Sequence, residues 1–367
     1  MKLAIVHDYL TQYGGAERVV EVLHEIFPEA PIYTSIYLPE QLPNGFRKMN
    51  IQVSFMQKLP FKDKHFKKYL LLYPKAIQSF NLTEYEMVLS SSSAFAKGAV
   101  TSTNACHICY CYTPARFIWD YERYVERENF NGVIRALLPF FIACLRKWDI
   151  STVKGVDCFV SISKNIQRKI RNCYGRDSEI IYPPVDIKGF KISKKIENYF
   201  LIVSRLNAYK RIDLVIEAFN KIKLPLRIIG DGPYRKNLEN LAGSNISFLK
   251  KVDEKILVEN YSHCRALIFP GYEDFGLAPV EAQASGRPVI AYADGGALET
   301  VIDGDTGIFF EKQTVDSLIK AVEKFKDIEY TFDSDKIRNT AERFSKDMFK
   351  QKISDFIFER HKNLINR

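Results

Sequence analysis

Long apolar runs are missing from this chain of 367 residues. No stretch approaches the roughly 20 consecutive apolar residues that a membrane-spanning helix needs. The first apolar run, within "MKLAIVHDYL", is too short for the core of an export signal. The chain is therefore expected to be cytoplasmic, and at most peripheral on the inner face of the membrane. Short-period repeats are absent too. So are zinc-finger spacings, RNA-recognition signatures and helix-turn-helix patterns, so the formal charge of +9 does not point to nucleic acid. Seven cysteines, an odd number in a long chain without an export signal, read as reduced thiols and not as a disulfide framework. The cluster "CHICYC" (Cys106 to Cys111) alternates as a buried strand does, and no second Cys/His pair follows it at zinc spacing. No metal is expected.

Apolar residues make up 46% and charged residues 26%, a globular balance, and the length suits two domains. Strand and helix patterns alternate almost throughout. "LAIVH" precedes "GGAERVVEVLHEIF", "YEMVLSS" and "ACHICYCY" follow, and "VDCFVSIS" leads into "KNIQRKIRNCYG", closed by Gly175. After a lysine-rich stretch a second series begins: "YFLIVSRL", "RIDLVIEAFNKI", "PLRIIGDG", "PYRKNLENLA", "RALIFPG", "GLAPVEAQAS" and "PVIAYA". Repeated strand–helix units predict parallel, doubly wound α/β sheets, here as two Rossmann-like domains facing a central cleft. The boundaries read as 1–184 for the first domain and 185–345 for the second. A final helix over 346–367 is expected to pack back towards the first.

Ligands of such sheets bind where strands run into helix N-termini. Gly14 and Gly15 stand at the first such turn and would let backbone amides approach an anion. The turn has neither G-x-G-x-x-G nor G-K-[ST] spacing, which demotes dehydrogenase and nucleotide-triphosphatase readings. "VSRLNAYKR" places Arg205 at a strand end and Lys210 at the start of the next helix, two cations on one turn. "GDGP" reads as a structural turn. In "GYEDFGLAPVEAQASGRPVIAYADGGALET", Glu273 lies outside a helix at its mouth and Glu281 about one turn inside. The amides of Phe275, Gly276 and Leu277, after Asp274, would point at an anion between the two carboxylates. A phosphate flanked by hydroxylated groups suits that arrangement, which is the outline of a sugar nucleotide.

Taken together, Glu-x7-Glu at 273 and 281, the "SRL…YK" turn and the "GGAERV" turn closely resemble retaining glycosyltransferases of family 4, with the GT-B fold. "EDFG", "GGALETV" and "YTPARFIWD" look most like the branch of bacterial surface-polysaccharide enzymes that includes O-antigen mannosyltransferases. The resemblance implies that Glu273 binds the donor sugar and Glu281 the ribose. It implies that Arg205 and Lys210 neutralise the diphosphate, that Gly15 lies under it, and that no metal or other cofactor is bound. Relatives of this branch usually read His-Thr-Pro where this chain has Tyr112-Thr113-Pro114. The resemblance also implies that 1–184 is the acceptor-binding domain, with Tyr112, Arg116 and Asp120 on the acceptor side, and 185–345 the nucleotide-sugar-binding domain, while His107 reads as a packed histidine.

The expected activity is retaining transfer of a hexose, mannose from GDP-mannose first, to a glycan or lipid-linked glycan acceptor. UDP-hexose-dependent transfer, nucleotide-sugar epimerisation and non-catalytic sugar-nucleotide binding are the alternatives. Arg47 to Lys75 carries eight Lys/Arg against Asp63 alone, interleaved with aromatics, and this suits an anionic membrane surface as well as a solvated face. The apolar stretch Val133 to Trp148 reads as a buried helix or an addition to that surface.

Overall fold

The computed structural model describes residues 1–120 and 132–366; the side chains of residues 67 and 132–137 also lie outside the description. The chain forms two compact units, one of Met1–Pro184 with Phe349–Arg367 and one of Val185–Met348. In the first, seven strands form one sheet: β1 (Leu3–His7), β2 (Ile32–Thr34), β3 (Ile51–Val53), β4 (Met87–Ser92), β5 (Cys106–Cys111), β6 (Cys158–Ser161) and β7 (Ser178–Ile180). Their order is β3-β2-β1-β4-β5-β6-β7. In the second, six strands do the same: β8 (Phe200–Val203), β9 (Leu226–Ile229), β10 (Ile246–Leu249), β11 (Leu267–Phe269), β12 (Val289–Tyr292) and β13 (Gly307–Phe310). Their order is β10-β9-β8-β11-β12-β13.

Every strand pairing within the two sheets is parallel. Such strands are covered on both faces, which is why the central ones read as unbroken apolar runs and not as alternation. All five residues of β1 are buried, as are all six of β5. Each sheet reverses its strand order once, between β1 and β4 in the first unit and between β8 and β11 in the second. Those reversal points are where open α/β sheets leave room for a ligand.

Local signals set several helix ends. Ser163 accepts from the Ile166 amide at the start of Lys164–Tyr174, and Gly175 closes that helix in the left-handed region, as its sequence predicts. The basic segment folds as short helical turns, not one long element. Its Tyr73 ring stacks on Phe95 at 4.8 Å, and Phe66 packs on Tyr9. The stretch Val133 to Trp148 belongs to the helix Gly132–Thr152. Where its side chains are described it is split: Ile142, Leu145 and Asp149 are buried, while Phe140, Phe141 and Cys144 are exposed. Of the two readings of this stretch, a buried helix describes one face of it only. One anchor of this helix is the buried Lys97–Asp149 pair at 2.8 Å, whose carboxylate also accepts from Trp119 and Tyr174.

The helix Lys346–Ile365 starts at the end of the second unit, and from Phe349 on it belongs to the first. There Phe349 meets Tyr110, and Lys350 pairs with Glu25.

Candidate active site

In the second unit the loops after β8, β9, β11 and β12 are stitched to one another by backbone contacts. After β8, a single 3-10 turn (Ala208–Lys210) carries the chain to Arg211, which sits in the left-handed region at φ 55 before the helix Ile212–Ile222 begins. A non-glycine residue held there is strained, and such strain persists only where the surroundings fix it. Next to it, Gly271 brings the loop after β11 against the Lys210 backbone: a Cβ at 271 would stand 3.1 Å from the Lys210 carbonyl.

The loop after β11 delivers Glu273, and Lys210 Nζ pairs with Glu273 Oε1. Both groups are largely shielded from water. The sequence separates them by 63 positions and the β8–β11 reversal point unites them. Arg205 is exposed on the same turn as Lys210. Gly276 then takes φ 86 as the helix Leu277–Ala284 opens. A side chain there would be strained twice over, because its Cβ would also meet the Phe269 ring at 2.8 Å. Asp274 and Phe275 are buried.

Glu281, the fifth residue of that helix, is 6% exposed. Its Oε2 accepts from the Tyr261 hydroxyl at 2.7 Å. Placing the first glutamate on the loop and the second inside the helix thus gives them different partners, a lysine for one and a phenol for the other.

Two glycine pairs, one in "GGALETV" and one in the turn "GDGP", prove to be packing devices. A Cβ at Gly295 or Gly296 would collide with the backbone of Glu273 or Phe275, and the Gly296 amide donates to the Glu273 carbonyl at 2.8 Å. Gly230 and Gly232 hold the loop after β9 against the backbone of Ser204 and Leu206 in the same way. The "GDGP" turn is structural, as predicted.

In the first unit, the Glu17 carboxylate accepts from the Gly14 amide at 2.8 Å. The helix Gly15–Ile26 thus begins with a carboxylate of its own, and Gly14 and Gly15 are half-buried. The other oxygen of Glu17 lies 4.0 Å from His7 Nε2. His7 Nδ1 meets Ser91 Oγ at 3.0 Å, and Ser91 Oγ meets the Tyr112 hydroxyl at 2.8 Å. Tyr112 donates to the Ala16 carbonyl at 3.1 Å. A phenol has one proton, so Ser91 donates to Tyr112 and the His7 Nδ1–H donates to Ser91. Burial raises the Tyr112 pKa well above its usual range, so the phenol stays neutral. Tyr112 therefore stands in a chain of hydrogen bonds that runs from His7 to Ala16 at the ends of β1, β4 and β5.

Arg116 opens the short helix Arg116–Trp119, and Asp120, just after it, pairs with Lys169 at 3.3 Å. His107 is fully buried. Its Nδ1 meets the Gly155 carbonyl and its Nε2 meets Ser90 Oγ, both at 2.8 Å. Burial lowers its pKa to about 4, so it is a neutral packed histidine. The seven cysteines are free, and among the described residues no three His, Cys, Asp or Glu side chains are grouped to hold a metal ion.

Sequence reasoning missed Asp8. Its two oxygens accept from the amides of Ser93, Ala94, Phe95 and Ala96 at 2.5–3.1 Å, closing the loop after β4 at the reversal point. An aspartate just past the end of β1 was the available signal.

Two parallel, Rossmann-like sheets in one chain are shared with solved proteins of the GT-B fold. A solved Anabaena protein, HepE in complex with UDP, superposes with a TM-score of 0.75 over 98% of this chain and all of its own, at 15% identity. Residues 186–348 match the family described as glycosyl transferases group 1, and this unit belongs to that family.

Among curated relatives, a Candida glabrata alpha-1,3/1,6-mannosyltransferase, ALG2, is 23% identical over 82% of this chain and 78% of its own length. A Mycolicibacterium smegmatis GDP-mannose-dependent phosphatidylinositol monomannoside mannosyltransferase is 30% identical over 55% of this chain and 60% of its own. Alignments to the curated relatives span between 47% and 78% of the relative's length.

Proposed function

We propose that this chain is a retaining hexosyltransferase that moves mannose from GDP-mannose to a glycan or lipid-linked glycan acceptor without a metal ion. The observation that carries the reading is the meeting of Lys210 and Glu273 at the reversal point of the family-matched unit, with Arg205 on the same turn. A cation and a carboxylate that neutralise each other without donor have separate partners when a sugar nucleotide arrives. The diphosphate takes the lysine, and the sugar hydroxyls take the glutamate. Mannose and GDP are favoured by the names of the relatives, two of which are mannosyltransferases and one GDP-mannose-dependent.

In this reading the bond between the anomeric carbon and the β-phosphate oxygen breaks as the acceptor hydroxyl attacks from the same face, through an oxocarbenium-like state. The acceptor oxygen becomes bonded to the anomeric carbon, and its proton passes to the departing diphosphate. Arg205 and Lys210 stabilise the charge that grows on that diphosphate, the part a metal ion plays elsewhere. The buried Asp274 and the amides of Phe275, Gly276 and Leu277 border the sugar and phosphate, with Glu281 on the ribose.

Retention and the distinction from an epimerase are read together by proton NMR of GDP-mannose incubated with the protein and EDTA, with water as the slow acceptor. The reading predicts GDP with α-mannose as the first-formed sugar. β-Mannose first, or a new nucleotide sugar with no GDP released, overturns it.

Arg47 to Lys75 is proposed to contact an anionic membrane surface on which a lipid-linked acceptor resides. Phe61 supports this: it is 71% exposed and held at φ 52, at the head of the turn Lys62–His65. Phe55 and Leu71 are exposed on the same segment, as are Lys58, Lys64, Lys68 and Lys75. Aromatic and aliphatic side chains among lysines suit the headgroup region of an anionic bilayer. Among the described residues no helix is long and apolar enough to cross a membrane.

A further inference from the structure

We propose that Tyr261 is a positioning residue for donor recognition: its hydroxyl fixes the Glu281 carboxylate in the orientation that accepts from the ribose hydroxyls. The inference rests on the donor-binding reading above. Tyr261 lies on the helix Glu254–His263, 20 positions before Glu281, and its ring is 0% exposed. One contact bears on the ring itself, and two fix the backbone that carries it. Phe190 packs against it edge-on, with centroids 5.6 Å apart and planes at 82°. Asp253 caps the helix by accepting from the Ile256 amide at 2.8 Å, and the Cys264 thiol donates to the Tyr261 carbonyl at 3.3 Å. The hydroxyl therefore presents its proton in a set direction, and Glu281 Oε2 takes it at 2.7 Å.

A glutamate has three side-chain torsions, and a carboxylate accepts several hydrogen bonds. One anchored oxygen stops the group from turning and leaves further acceptor directions on it. A hydroxyl that ties a buried carboxylate only to the fold would serve stability. A hydroxyl that aims the carboxylate at a sugar would serve discrimination between ribose and its deoxy forms, and that difference is measurable. Losing one hydrogen bond to a charged group corresponds to about tenfold or more in affinity.

The experiment is calorimetric titration of the full chain with GDP and with 2′,3′-dideoxy-GDP. Wild type is expected to prefer GDP by about tenfold or more. Tyr261→Phe is expected to reduce that preference to about threefold or less while leaving the affinity for dideoxy-GDP unchanged, and Glu281→Gln to do likewise. A Tyr261→Phe protein that keeps the full wild-type preference overturns the positioning role alone. Wild type with equal affinity for both nucleotides, or with affinity for neither, overturns the donor reading and the proposal with it. Should Tyr261→Phe lose both ligands together through misfolding, the ratio is read in Phe190→Leu, which loosens the ring and leaves the phenol and the carboxylate in place. A lowered preference there supports the role, and an unchanged one overturns it.

Discussion

Lys210 and Glu273 are the residues on which the account turns, and each neutralises the other in the donor-free protein. Lys210→Ala removes a charge whose value is greatest when the diphosphate departs. Turnover should therefore fall by about a hundredfold or more, and donor affinity by less than tenfold. Glu273→Gln has the opposite effect on binding. It removes the carboxylate that faces the lysine, so the nucleoside diphosphate should bind more tightly, by about threefold to tenfold, while transfer slows. Steady-state kinetics and GDP titrations of the two variants check both statements. A Lys210→Ala protein that keeps its turnover at saturation but loses donor affinity contradicts the leaving-group role. What sequence made visible at this scale was fixed by covalent spacing: two glutamates eight positions apart at a helix mouth can be placed by counting. Tyr261 could not be found that way, because its relation to Glu281 comes from the packing of two helices. Nor could the surroundings of Tyr112, whose hydroxyl is held by Ser91 on β4 and Ala16 in the helix Gly15–Ile26.

At the scale of elements, the strand-end loops hold their shape because glycines let backbones touch. Gly296→Ala places a methyl group against the Phe275 backbone, which cannot yield without moving the loop that carries Glu273. Overpacking of this kind is worth about 1–3 kcal/mol. The expected result is a melting temperature lowered by roughly 3–10 °C in a thermal scan, with weaker donor binding. An alanine variant with wild-type melting and binding would show that the contact is not needed. The parallel strands were legible as apolar runs, and a helix end was legible where a left-handed glycine, Gly175, closes it. The glycines at 295 and 296 were legible only within "GGALETV", as a point of family resemblance without a partner. Their reason is a neighbouring loop, and a single sequence carries no statement about which loops meet. The helix Gly132–Thr152 escaped for a related cause: its apolar content is high, yet the buried Lys97–Asp149 pair fixes only one face of it, to the turn Ala96–Gly98 after β4.

At the scale of the molecule, the alternation of strand and helix patterns was enough to read two doubly wound α/β sheets, because periodicity over hundreds of residues averages out local error. The basic segment is a different matter, since charge and aromatics suit water and lipid headgroups alike. Flotation with vesicles of phosphatidylcholine alone and with added phosphatidylglycerol separates the two. The protein should float only with the anionic lipid, less so at high salt, and the Phe61→Asp variant should stay in the dense fraction. Flotation that is indifferent to lipid charge, or absent, removes the membrane from the account.

The central claim is a sugar-nucleotide site on the second unit that needs no metal ion. Calorimetric titration with GDP-mannose, UDP-glucose, UDP-galactose and UDP-N-acetylglucosamine in EDTA tests it most directly. The account predicts saturable binding of GDP-mannose, preferred over the UDP-sugars and abolished or severely weakened in Glu281→Ala. Binding of none of the four, or binding that Glu281→Ala leaves intact or that appears only when a divalent cation is supplied, would contradict it.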